Sequence, residues 1–137
     1  MAQITSYISC IYYRQTNEEV KKCIDKPSWD EVTKLIQLID MGEIEFLSLN
    51  GPEEEFTHMD VIAKPGHYHM SIFVDEDEEY IFKNDEVNDF KIDIAGNYWP
   101  DYQVAKDINI LLSVIEIFFK DGSPSSSYEW IYYSEED

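Results

Sequence analysis

At 137 residues the chain has the size of one domain, able to bury roughly 70% of its unfolded surface. Its ten tyrosines, seven phenylalanines and three tryptophans exclude a disordered polymer. Twenty-nine acidic against ten basic residues leave a formal net charge of -19, a field that repels nucleic acid and anionic membrane and draws in basic proteins. No apolar run nears the ~20 residues of a membrane span, and the N-terminus lacks a basic stretch leading into a long apolar one. The expectation is a cytoplasmic protein of one domain, residues 1–137, with a short acidic tail at 134–137. Cys10 and Cys23 have neither metal nor redox spacing and are expected as reduced thiols.

Residues 3–13 are rich in β-branched and aromatic types and predict a strand. The polar passage that follows, with Arg14, Asn17, Glu18, Lys21 and Lys22, reads as a loop holding a short helical turn. Ser28 and Glu31 have the spacing of a capping box, Val32, Leu35, Ile36 and Ile39 recur at helical intervals, and Gly42 closes the helix. From Glu43 the period drops to two. Strands are expected over 44–49, 56–64, 67–74, 79–83 and 90–95, separated by Asn50-Gly51-Pro52, Pro65-Gly66 and two acidic turns. The longest apolar-periodic segment follows Asn97-Tyr98-Trp99-Pro100. Val104, Ala105, Ile108, Leu111, Leu112, Ile115, Phe118 and Phe119 predict a core helix, with Asp101 as its N-cap, apolar side chains over most of its circumference and Gly122 at its end. Ser123 to Ser127 reads as a flexible link, and 128–133 as a last strand. The architecture is therefore α+β, a mostly antiparallel sheet with two main helices packed on one face.

Candidate chemistry is sparse. His67 and His69 share one face of a strand and could ligate a metal with His58 or an acid from a neighbouring strand, although two surface histidines need no such role. The run Asp75-Glu76-Asp77-Glu78-Glu79 has the acid density of a calcium loop, but Tyr80 stands where such a loop needs glycine. There is no Gly-x-Ser-x-Gly elbow and no phosphate-cradling glycine loop. The reading is a binding protein, with no catalytic residues, metal or cofactor.

The acid is unevenly spread. Between Glu53 and Asp93 there are thirteen acidic residues against three basic ones. They gather as Glu53, Glu54 and Glu55; as Asp75, Glu76, Asp77, Glu78 and Glu79; and as Asp85 and Glu86 with Asp89. Tyr80, Phe82 and Tyr98 are their aromatic neighbours. If these connections share an end of the sheet, they form one or two patches suited to a basic surface that grips phosphates.

The order Lys26-Pro27-Ser28-Trp29-Asp30-Glu31, then Ala95-Gly96-Asn97-Tyr98-Trp99-Pro100 leading to Phe118-Phe119-Lys120-Asp121-Gly122, then Tyr128-Glu129-Trp130, resembles the Imm1 family of bacterial immunity proteins. The likeness runs from Pro27 to Trp130, with Ala95-Gly96 where a Gly-Gly pair is expected. It implies a cytoplasmic protein that neutralises, in a 1:1 complex, the cognate toxin domain of a polymorphic or contact-dependent inhibition system. Such a toxin is often a nuclease or nucleic-acid deaminase, and the implied partner is therefore basic. Glu53, Glu54, Glu55, Asp75, Glu76, Asp77, Glu78, Glu79, Tyr80, Asp85, Glu86 and Tyr98 are the candidate contacts. The alternatives are a DNA mimic or acidic adaptor for another basic partner, and a metal enzyme built on His58, His67 and His69.

Overall fold

Alternation of period two in the middle of the chain builds one large sheet. In the computed structural model, which describes residues 6–134 apart from Val87 and Asp89, the strands are β1 (Cys10–Gln15), β2 (Lys21–Asp25), β3 (Ile44–Asn50), β4 (His58–Lys64), β5 (His67–Val74), β6 (Glu78–Lys83), β7 (Lys91–Ile94), β8 (Asn97–Pro100), β9 (Val104–Ala105) and β10 (Glu129–Ser134). Two helices, α1 (Trp29–Asp40) and α2 (Ile108–Asp121), complete the fold. The sheet order is β10-β6-β5-β4-β3-β1-β2, antiparallel throughout, with β9 added beside β5. β7 and β8 form a separate hairpin. Fold class and helix count agree with the sequence pattern.

Side chains of one parity on the sheet meet the helices. Ile11, Leu47, Leu49, Met59, Val61, Tyr68, Met70 and Ile72 are buried there in one cluster with Val32, Ile36 and Ile39 of α1 and Leu111, Val114, Ile115, Phe118 and Phe119 of α2. Phe118 and Phe119, the last pair of the predicted apolar stripe, are both buried, and Trp29 lies against Phe119 with ring centroids 5.3 Å apart. α2 buries only one face, because Asn109, Leu112 and Lys120 are exposed on the other.

The capping box of α1 is formed. Glu31 N donates to Ser28 Oγ at 3.1 Å, and Ser28 N donates to Glu31 Oε1 at 3.0 Å. Ser28→Ala is expected to cost about 1 kcal/mol, read as a lower urea midpoint with an unchanged slope. No change in midpoint would mean that the packing of Trp29 alone holds the first turn.

Four expectations are corrected. The first strand starts at Cys10; residues 3–5 of the predicted strand lie outside the described residues, and Tyr7 instead donates its N–H to Phe119 O at 2.7 Å. The predicted helical turn is the edge strand β2, whose Cys23 and Ile24 pair with Tyr12 and Ile11. Asp101 does not cap a helix. It opens a single tight turn, Asp101–Gln103, and ion-pairs with Lys106, while Asn84 Nδ2 donates to the carbonyls of Asp101 and Val104 at 2.8 and 2.7 Å. Val104 and Ala105 then pair with β5, and α2 begins only at Asp107, whose Oδ1 accepts from Asn109 N at 2.9 Å. The serine link is fixed as well, since Ser125 is buried and its carbonyl accepts the Trp130 indole N–H at 2.9 Å. The acidic tail beyond Ser134 lies outside the described residues.

Tyr7 joins distant parts. Its ring meets Phe118 edge-on at 5.9 Å, a Cβ at either Gly51 or Gly122 would run into that ring, and its hydroxyl donates to Glu55 Oε1 at 3.0 Å.

Candidate functional site

The other parity of the sheet faces away from both helices. Registers across β1, β3, β4 and β5 place Cys10, Asn50, His58 and Phe73 in one row, Tyr12, Ser48, Asp60 and Ser71 in the next, and Arg14, Phe46, Ile62 and His69 in a third. The third row is partly roofed by the β7–β8 hairpin. Trp99 stacks on His69 at 3.6 Å between centroids, and Ile94 of β7 is fully buried. His69 Nε2 lies 3.2 Å from Gln103 Oε1, a pairing in which Nε2–H donates. Burial of the ring pulls the His69 pKa down to about 4, against a smaller upward pull from Gln103.

The first row, with Tyr12 of the second, lines a groove of about 680 Å³. Tyr12, Asn50, His58 and Phe73 line it from the strands, Glu53 and Phe56 from the β3–β4 connection and Glu76 from the β5–β6 connection. His58 stacks on Phe73 at 4.8 Å. The depression continues toward Ser48, Asp60 and Phe46 on one side and toward Glu78 and Glu79 on the other. Burial raises the Glu79 carboxyl pKa and the nearby Asp60 charge adds to it, while a hydrogen bond with Ser71 opposes both.

Topology decides which acidic clusters meet. Glu53, Glu54 and Glu55 form the single turn between β3 and β4, and Asp75, Glu76 and Asp77 turn from β5 to β6. His58 at the start of β4 lies opposite Phe73 near the end of β5, so both connections fall at the same end of the sheet. Glu78 and Glu79 open β6 at that end. Asp85 and Glu86 follow β6 at the opposite end, and Asp89 lies outside the described residues. Tyr98 is exposed on the separate hairpin.

Tyr80 faces the helix side of the sheet, where its ring lies 5.0 Å from that of Tyr132, and Phe82 is buried in the core. The aromatic residues that line the groove are instead Tyr12, Phe56 and Phe73. The parity of β4 could have found His58, because Met59, Val61 and Ala63 plainly face the core; nothing in the sequence marks Phe56.

The mouth of the groove is conformationally unusual. Phe56 (φ 52°), Asp75 (φ 51°) and Glu76 (φ 64°) all occupy the left-handed region without being glycine, at about 1–2 kcal/mol each.

The three histidines do not converge. His58 lies opposite Phe73, whereas His69 lies opposite Ile62, four strand positions and roughly 13 Å along the strands. Among the described residues no group of three or more His, Cys, Asp or Glu could hold a metal ion.

The sequence model of a family of unknown function, DUF6911, matches residues 6–127. The chain belongs to the DUF6911 family. The DUF6911 match takes in every groove residue and both helices and stops short of β10. A crystal structure of a hypothetical protein from Neisseria gonorrhoeae is similar in fold, with a TM-score of 0.67 at 18% identity, covering 92% of this chain and 95% of the other. No curated protein matches the sequence.

Proposed function

We propose that this DUF6911 protein is an immunity protein, which binds one cognate toxin domain in a 1:1 complex in the cytoplasm. It blocks the toxin's basic, nucleic-acid-handling cleft, whether that cleft belongs to a nuclease or to a deaminase. The observation that carries the reading is the convergence of two acidic connections, through Glu53 and Glu76, on the mouth of an open groove. A net charge of -19 strengthens the attraction for a cationic partner, and the Imm1-like order of sequence blocks supports the choice of partner. No helix among the described residues is long and apolar enough to cross a membrane.

Co-expression with the product of the gene immediately upstream tests the proposal. A stoichiometric complex should copurify, and the toxin's activity should fall to background at one equivalent. A neighbour that neither copurifies nor is inhibited would remove the reading.

The contact surface has its own test. Glu53→Lys, Glu76→Lys and Asp77→Lys together should slow association about tenfold or more at low salt, with the unfolding midpoint nearly unchanged. Asp85→Lys with Glu86→Lys, at the other end of the sheet, is the control. An equal slowing by the control would mean that net charge, and not this end of the sheet, governs the encounter.

A further inference from the structure

We propose that the groove between the β3–β4 and β5–β6 connections is a receptor for a single arginine side chain, which the partner inserts between aromatic faces and carboxylates. The proposal concerns the chemistry of the groove. Only the identity of the protein that carries the arginine rests on the toxin-neutralising reading.

Three features favour this occupant. Tyr12, Phe56 and Phe73 line the cavity, and its volume of about 680 Å³ falls within the ~300–1,000 Å³ of small-ligand sites. Aromatic faces attract a cation through their quadrupole, and a guanidinium stacks on them better than an ammonium does. Glu53 and Glu76 both line the groove, one from the β3–β4 connection and one from the β5–β6 connection, so a cation that enters it meets two carboxylates. His58 and Asp60, 3.8 Å apart, place further polar groups beside the floor. A forked donor set such as guanidinium can address both carboxylate and ring, whereas a point charge addresses one at a time.

Phe56 is the independent indication. It is 53% exposed and left-handed at φ 52°, so neither core burial nor backbone preference accounts for phenylalanine there. Glycine or asparagine would fit the turn at lower cost. A rim position that keeps an aromatic ring against both preferences is suited to contact with a ligand. The ring lines the groove mouth.

The test is a titration of the isotope-labelled full-length protein with N-acetyl-arginine amide, followed by amide chemical shifts. The same titration is run with the lysine analogue and with the uncharged citrulline analogue. Saturable shifts are expected at Tyr12, Gly51, His58 and Phe73 with the arginine compound, weaker ones with lysine and none with citrulline. Phe56→Ser should weaken arginine binding by about two- to fivefold, the worth of one exposed cation–π contact, and Glu53→Gln with Glu76→Gln should abolish saturation. Both sites are on exposed turns, so an unchanged spectrum elsewhere confirms folding.

Silence of the groove resonances overturns the proposal, as does equal binding of citrulline or shifts spread over all acidic surfaces. Such a failure, beside successful copurification of a toxin, leaves the inhibitor reading with a different contact. The converse result keeps the arginine receptor and removes the toxin.

Discussion

Acidification from pH 6.5 toward 4 is expected to remove about 3 kcal/mol of folding stability through His69 alone, the free-energy equivalent of a pKa lowered from 6.5 to about 4. The ring is 2% exposed, stacked on Trp99 and paired with Gln103, so the folded protein holds it neutral. The unfolded chain binds a proton near pH 6.5 and the folded chain only near 4. Stability from this group is therefore complete above pH 6.5, declines as the pH falls and is exhausted below 4.

Two carboxyls modulate the same limb in opposite directions. Asp101, held low mainly by its hydrogen bond with Lys106, adds a further loss as the pH falls through and below its ordinary value. Glu79, held high by burial, takes up its proton more readily when folded and offsets part of the loss. The comparison is therefore a difference experiment. Urea midpoints of the parent and of His69→Phe, which keeps an aromatic ring against Trp99, are measured from pH 7.5 to 4. The parent curve should fall more steeply between 6.5 and 4. Parallel curves would show that His69 titrates freely and that the hairpin does not seal it.

The second large effect lies at the end of α2. Gly122→Ala is expected to cost about 2–5 kcal/mol, the sum of a left-handed alanine and an overpacked methyl group. Gly122 has φ +69°, and its added Cβ would stand within 2.7 Å of three carbons of the Tyr7 ring. Gly66 isolates the backbone part. It has φ +79° with nothing within 4 Å of an added Cβ, so Gly66→Ala should cost only about 1–2 kcal/mol. Denaturant midpoints of the two variants decide the matter, and equal losses would mean that Tyr7 steps aside freely.

Local chemistry was legible and long-range pairing was not. Ser28 and Glu31 announce α1 because both halves of a capping box lie within four residues. β5 is bounded as read, since Pro65-Gly66 supplies a turn that any register must respect. The sequence pattern starts α2 too early because Asp101 and Asp107 are both competent caps and Val104-Ala105 fits the helical stripe. Pairing of those two residues with Tyr68 and His69, and the Asn84 amide on the loop carbonyls, settle the choice. β2 carries no strand signal because its side chains are largely exposed, leaving no apolar alternation to read.

The site divides in the same way. Charge clusters are visible in sequence, but which of them meet depends on antiparallel order: the turns after β3 and β5 share an end, and the connection after β6 does not. The groove floor draws Tyr12, His58 and Phe73 from three strands, and their alignment exists only once the registers are set. The Imm1 resemblance suggests a partner; of the acids that the charge distribution marks, Glu53 and Glu76 line the groove, whereas its aromatic residues Tyr12, Phe56 and Phe73 lie outside the marked set.

Tyr7 carries one more consequence. Its amide holds the last turn of α2 through Phe119, its ring occupies the space that two glycines leave open, and its hydroxyl holds Glu55 beside the groove. Rim and helix end are thus two terminals of one strut. One side chain serves the turn that carries Glu55 and the end of α2 at once, so a change at Tyr7 reaches both places.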